Sequence, residues 1–266
     1  DIDHLKYLAN ENRKRIINMI YEAKSGHEGG SLSIIDMLTA IYEIDVNFAE
    51  EQRSKVVLSK GHTVPALYAV LNSKGIIKDE EMKTLRFINS RLQGHPYTGT
   101  IPEVDATTGL LGQGLSIAVG MAIAKRNKND NHHVYAIVGD GEMQEGQIWE
   151  SLLQAAHYKL DNLCLVVDNN NLQIDGKVSD VMSVYPLKEK FEAFGFEVLE
   201  VDGNDIDELI TVFDKAKTVK GKPTAIIAKT IKGKGVSFME DKADWHGKAP
   251  NDEEYKTAIE DLSAND

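Results

Sequence analysis

The stretch from Val134 to Gly176 constrains this fold more than any other. Val134–Val138 is a short apolar run rich in β-branched residues, and it stops abruptly at Gly139-Asp140-Gly141, as a buried parallel strand does at its carboxyl end. From Gln147 to Lys159 the apolar residues Ile148, Leu152, Ala155 and Ala156 recur at helical spacing. A second apolar run, Leu163–Val167, is closed by Asp168-Asn169-Asn170-Asn171. This is a β-α-β unit, and its right-handed crossover makes the two strands parallel. Asp140 and the Asn cluster therefore emerge on one edge of the sheet, although thirty positions separate Asp140 from Asn170.

A carboxylate and an amide oxygen on one edge, with loop carbonyls nearby, suit a Mg²⁺-like cation that keeps phosphate oxygens as its remaining ligands. Glycines beside Asp140, Gly141 among them, let backbone approach a diphosphate closely. The dinucleotide fingerprint competes for this reading but fails, because Gln144 and Ile117 stand where its third glycine belongs in the two candidate loops. A lone Gly-Asp-Gly is more often a tight turn. Joined to the helix and the Asn-rich strand end at this separation, it becomes a specific signal.

The whole segment resembles the thiamine-diphosphate motif that begins Gly-Asp-Gly and ends in an Asn pair. The wordings GDGEMQEG, YKLDNL and WHGK resemble transketolase in particular, and the resemblance runs from about residue 10 to about residue 250. It implies thiamine diphosphate as cofactor, held through Mg²⁺ or a substituting Ca²⁺ or Mn²⁺ by Asp140, Asn170 and the Leu172 carbonyl.

A chain of 266 residues holds one large α/β domain or two small ones, and one sheet domain spanning 1–266 is the simpler reading. A formal charge of −12 with pI near 5.2 argues against a nucleic-acid or anionic-membrane surface. Cys164, the one cysteine, lies inside an apolar strand and reads as a small core residue. Neither a signal peptide nor a membrane-length apolar run is evident, so a cytoplasmic location is the expectation. The first residue is not Met.

Elsewhere the chain alternates helix and strand. Residues 2–24 read as an amphipathic helix, Gly26–Ser31 as a glycine-dense loop, and Ser31 or Ser33 as the cap of a helix through Tyr42. Val56–Ser59 reads as a strand, Pro65 to about Asn72 as a helix, and Thr107–Gly114 as a turn entering a small-residue helix, Ser116–Ala124. Phe196–Val201 and Thr224–Ala228 add two parallel-type strands around a helix from Ile206 to about Ala216, and a terminal helix follows. The expected fold is α/β: a doubly wound, mainly parallel sheet with helices on both faces and its functional loops at one edge.

Four of the eight histidines, His27, His62, His95 and His246, touch a glycine; His4, His132, His133 and His157 read as structural or solvated. A loop histidine among glycines is either solvated or functional. The resemblance places His27 in the substrate channel, His95 facing the reacting carbon, and His246 across cofactor and substrate. It places His62 by the diphosphate, with Lys60 less securely, and backbone at Gly109 and Leu111 against the aminopyrimidine. Lys232 is given to a phosphate, against the alternative of a solvated basic patch. Glu145 matches a glutamate at the interface between active sites, or is simply an acid at a helix N-terminus.

Full-length transketolases continue into pyrimidine-binding and C-terminal domains, and the expectation is that residues 1–266 correspond to the diphosphate-binding domain with those two absent from this chain. The expectation is a split enzyme: a diphosphate-binding subunit that needs a separate pyrimidine-domain subunit, in an α2β2 assembly, to move a two-carbon ketol unit between sugar phosphates. A truncated chain remains open, as do a subunit of a 2-oxoacid dehydrogenase, a deoxyxylulose-phosphate synthase, and a non-catalytic cofactor-binding module.

Overall fold

Five short strands form the frame on which the rest of the computed structural model, covering residues 1–266, is hung. In chain order the elements are α1 (Ile2–Ala23), α2 (Glu28–Ile44), β1 (Lys55–Leu58), α3 (Val64–Ser73), α4 (Gly114–Asn127) and β2 (Val134–Gly139). There follow α5 (Gly146–His157), β3 (Leu163–Asn169), β4 (Leu172–Gln173), β5 (Gly176–Lys177), α6 (Val178–Val181) and α7 (Leu187–Ala193). The last are β6 (Glu197–Asp202), α8 (Ile206–Thr218), β7 (Thr224–Lys229) and α9 (Asp252–Ser263).

The sheet order is β1-β2-β3-β7-β6, and every pairing is parallel. Alternate strand residues feed two separate cores. Tyr135, Ile137, Cys164, Val166 and Ile226 pack with α1, α2, α3, α8 and α9; Val134, Ala136, Val138, Leu165 and Ile227 pack with α4, α5 and α7. The helices that lead directly into β2, β3 and β6 (α4, α5 and α7) lie on the second face, and α8, which returns the chain from β6 to β7, lies on the first, as right-handed connections require. The expected doubly wound sheet with helices on both faces is thus observed.

One expectation is overturned at the start of α2. The glycine-dense Gly26–Ser31 segment is helical from Glu28 onward, and neither Ser31 nor Ser33 caps it. His27 occupies the cap position with a left-handed φ of 79°. The glycines serve close packing instead: a Cβ on Gly29 would stand 2.8 Å from the Trp245 carbonyl oxygen, and one on Gly30 would stand 2.8 Å from Thr63 Cγ2. Ser31 Oγ bonds back to the His27 carbonyl at 2.7 Å, and Ser33 Oγ points inward to Asp168 Oδ2 at 2.6 Å. The β4–β5 hairpin, α6 and α7 carry no sequence expectation, being too short for periodicity to register.

Candidate functional site

The loops that leave the carboxyl ends of β1, β2, β3 and β7 surround a cavity of about 360 Å³. Its position is where open parallel sheets place ligands. His27, His62, Gly109, Leu111, Asp140, Gly141, Glu145, Asn170, Leu172, Lys232 and His246 all line it. His95 does not. Its exposed ring lies at the rim, close enough to Gly109 that a Cβ there would meet His95 Cγ at 3.2 Å.

Oxygen donors make the floor. Asp140 is 1% exposed; its Oδ1 accepts from the Gly141 amide at 2.8 Å and its Oδ2 from the Asn171 amide at 2.6 Å. The Tyr185 hydroxyl lies 3.2 Å from Asp140 Oδ2 and 2.7 Å from Asn169 Oδ1. Burial, aided by the charge of Asp168, pushes the Asp140 carboxyl up to about 6. Asn170 accepts from the Leu172 amide at 2.8 Å and donates to Asp168 at 3.1 Å, which turns its amide so that its oxygen meets the Leu172 amide and its nitrogen meets Asp168.

Beneath the floor is a group the sequence reasoning missed. Asp168 is fully buried and takes contacts from Lys60 Nζ, Thr230 Oγ1 and Ser33 Oγ, one each from the loops after β1 and β7 and from α2. The available signal was a carboxylate closing an apolar run with a lysine at the end of the next strand but one. Glu142 was missed too. Its carboxylate receives Ser59 Oγ at 2.5 Å, the Gly112 amide at 2.8 Å and the Gly139 amide at 3.3 Å, so one buried acid fixes three loops.

Imidazoles make the wall. The rings of His27 and His62, and those of His27 and His246, are 5.5 Å apart between centroids; His62 and His246 are 5.0 Å apart. Burial, then the charge of Arg86, lowers His27 to about 4. Burial, then Lys232, lowers His246 to about 3, and burial drives His62 well below the usual histidine range. All three are neutral at pH 7, each with one N–H and one lone pair. Lys232 stands 2.8 Å from His246 Nδ1, and burial followed by the charge of Lys60 lowers its ammonium to about 8.

A buried carboxylate, an amide oxygen and a loop carbonyl are all hard donors, which fits a Mg²⁺-type ion. No group of three His, Cys, Asp or Glu side chains gathers to hold a metal unaided. The ion would take its other oxygens from a bound phosphate, and Lys232 offers that phosphate positive charge, Lys60 being paired with Asp168. The residues present therefore fit a metal-bridged diphosphate.

A family profile described as "Transketolase, thiamine diphosphate binding domain" matches residues 5–265. This chain belongs to that family. Among transketolase relatives it is 41% identical to one subunit of the apulose-4-phosphate transketolase of Phocaeicola vulgatus, over 98% of this chain and 95% of that one. It is also 41% identical to the "6-deoxy-6-sulfo-D-fructose transketolase subunit SqwG" of a Clostridium species, over 97% and 96%. The human "Transketolase" is 39% identical over 92% of this chain but only 40% of its own length. Crystallographic transketolase from Campylobacter jejuni superposes with a TM-score of 0.91 at 35% identity, covering 99% of this chain and 43% of that one. The chain thus spans about two-fifths of the human and Campylobacter jejuni transketolases and nearly all of the relatives named as subunits. No helix is long and apolar enough to cross a membrane.

Proposed function

We propose that this chain is the diphosphate-binding subunit of a two-chain transketolase, transferring a two-carbon ketol unit from a ketose phosphate to an aldose phosphate with Mg²⁺-thiamine diphosphate. The carrying observation is the triangle of imidazoles set against an oxygen-donor floor in one cavity. When bound, thiamine diphosphate supplies the carbon nucleophile and electron sink that cleavage next to a carbonyl needs.

The chain's own residues do the rest. Asp140, Asn170 and the Leu172 carbonyl hold the ion; His62 and Lys232 face the diphosphate; backbone at Gly109, Leu111 and Gly141 permits close approach. His27 and His246, with His95 at the rim, hydrogen-bond sugar oxygens and carry protons, a task suited to rings that are neutral at working pH. Glu145 stands at the outer edge, toward a neighbouring site.

A separate subunit carrying the pyrimidine-binding and C-terminal domains completes the site, in an α2β2 assembly located in the cytoplasm, and residues 1–266 act as a single diphosphate-binding domain. Two observations support a partner. Relatives matched over almost their whole length are named as subunits. Apolar side chains stand in solvent near the cavity mouth: Leu110 is 78% exposed and Ile174 71%. The names of those relatives support a ketose that ends in a phosphate or sulfonate.

The test is reconstitution. Purified chain should bind Mg²⁺-thiamine diphosphate weakly and show no ketol transfer, and a co-purified partner should restore it. Asp140→Ala should abolish Mg²⁺-dependent cofactor binding in calorimetry. Full activity of the isolated chain removes the partner from the reading, and decarboxylated products in place of transferred ketol move the chain to another class of thiamine enzyme.

A further inference from the structure

Arg86 carries no motif, yet it joins two of the histidine loops. It sits just past a 3-10 turn (Glu81–Thr84) with a left-handed φ of 63°, a conformation that costs a non-glycine residue about 1 kcal/mol and persists only when surroundings enforce it. Its guanidinium supplies that enforcement. One nitrogen bonds Ser25 Oγ, two residues before His27. The other reaches the Gly94 carbonyl at 3.3 Å, one residue before His95, and His27 Nδ1 at 3.3 Å.

A guanidinium has donors only and stays charged. His27 Nδ1 must therefore be the acceptor, which leaves the ring proton on Nε2. We infer that Arg86 is a positioning residue that fixes His27 as its Nε2–H tautomer and ties the His27 and His95 loops into one rim. The inference deepens the transfer reading and rests on it for its kinetic consequence.

Two further observations agree. Lys232 makes the same contact to Nδ1 of His246 at 2.8 Å, so two of the three imidazoles have a cation on Nδ1 and their other nitrogen protonated. A donor N–H is what a substrate carbonyl or alkoxide oxygen requires as negative charge builds on it. Gly94 also leaves room for the guanidinium, since a Cβ there would stand 2.7 Å from Arg86 Nε. Lysine in place of Arg86 would reach one of these acceptors but not all three.

The first test needs no variant. In ¹⁵N-histidine NMR of the full chain, His27, assigned by its loss in His27→Gln, should show a protonated Nε2 and a bare Nδ1. A protonated Nδ1 overturns the inference, and this readout stands whether or not the chain transfers ketol units.

The second test uses the chain assembled with its partner and Mg²⁺-thiamine diphosphate. Arg86→Met should lower kcat by about 10- to 100-fold, by analogy with the loss of a partner that orients a metal-ligating histidine, with KM little changed. Arg86→Lys should recover part of that loss. Gly94→Ala, which keeps the charge but displaces the guanidinium, should move kcat and the His27 spectrum in the same direction. Wild-type kcat in Arg86→Met, or a loss of kcat with the His27 spectrum unmoved, overturns the assignment. If Arg86→Met does not fold, the wild-type spectrum decides alone. An inactive wild-type assembly would count against the transfer reading only.

Discussion

Lys232 Nζ stands 2.8 Å from Nδ1 of His246, and Lys232 itself is only 2% exposed. A buried ammonium beside a neutral imidazole serves two purposes at once: it waits for a phosphate, and it keeps its neighbour unprotonated. Lys232→Met separates them. Cofactor affinity should fall by about tenfold, equivalent to ~1.4 kcal/mol. His246 should also become easier to protonate, because the second cause of its depression is gone while burial remains. The acidic limb of the activity profile should then move to higher pH. Calorimetry and a pH series measure both, and an unchanged acidic limb refutes the coupling.

Lys60 and Asp168 are a buried pair, 3% and 0% exposed. Asp168→Asn strands the lysine's charge and should destabilise the fold by about 3 kcal/mol. Lys60→Met combined with Asp168→Asn should regain much of that, since no ion is then left without a partner. Urea unfolding of the two single variants and the double gives the cycle. Strict additivity would mean the pair is not coupled.

Glu28 is fully buried in the first turn of α2, with neither carboxylate oxygen hydrogen-bonded. Burial raises its carboxyl from 4.5 to about 8. The folded chain therefore keeps a proton that the unfolded chain gives up above about pH 4.5, so this contribution to stability is full below that pH and lost as pH climbs through 8. Glu28→Gln should melt higher than wild type at pH 8, with the gap closing toward pH 5. A melting difference that stays constant with pH would contradict the buried, protonated state.

Gly114 begins α4 against the end of β1, where an added Cβ would lie 2.7 Å from Ser59 Cα. Gly114→Ala should cost about 1–3 kcal/mol through overpacking. Ser59 also holds Glu142, so the same change should loosen the Gly112 loop and weaken cofactor binding. Thermal melts and calorimetry on one preparation test both. A stable variant with weakened binding would separate the loop effect from the packing cost.

Four strands of the sheet were legible because each holds an apolar run short enough to be a buried strand and closed by polar or glycine residues; β6 was legible although Glu197 and Glu200 interrupt its apolar residues. The cavity followed from them: once β2 and β3 were parallel, Asp140 and Asn170 had to share an edge. Local composition failed at α2, where glycines chosen for close contact with Trp245 and Thr63 read as a loop. It failed again for Asp168, Glu142 and Arg86. Their importance lies in contacts between segments 30 to 135 positions apart, and no local pattern encodes those.

The triangle of rings joins positions 27, 62 and 246. A nascent chain that has emerged as far as β4 already carries two of those rings and the oxygen donors Asp140, Asn170 and Leu172, but neither the third ring nor Lys232. A ligand that needs all of them will be captured only late in synthesis, so its retention on stalled ribosomes would report how much of the polypeptide has been made.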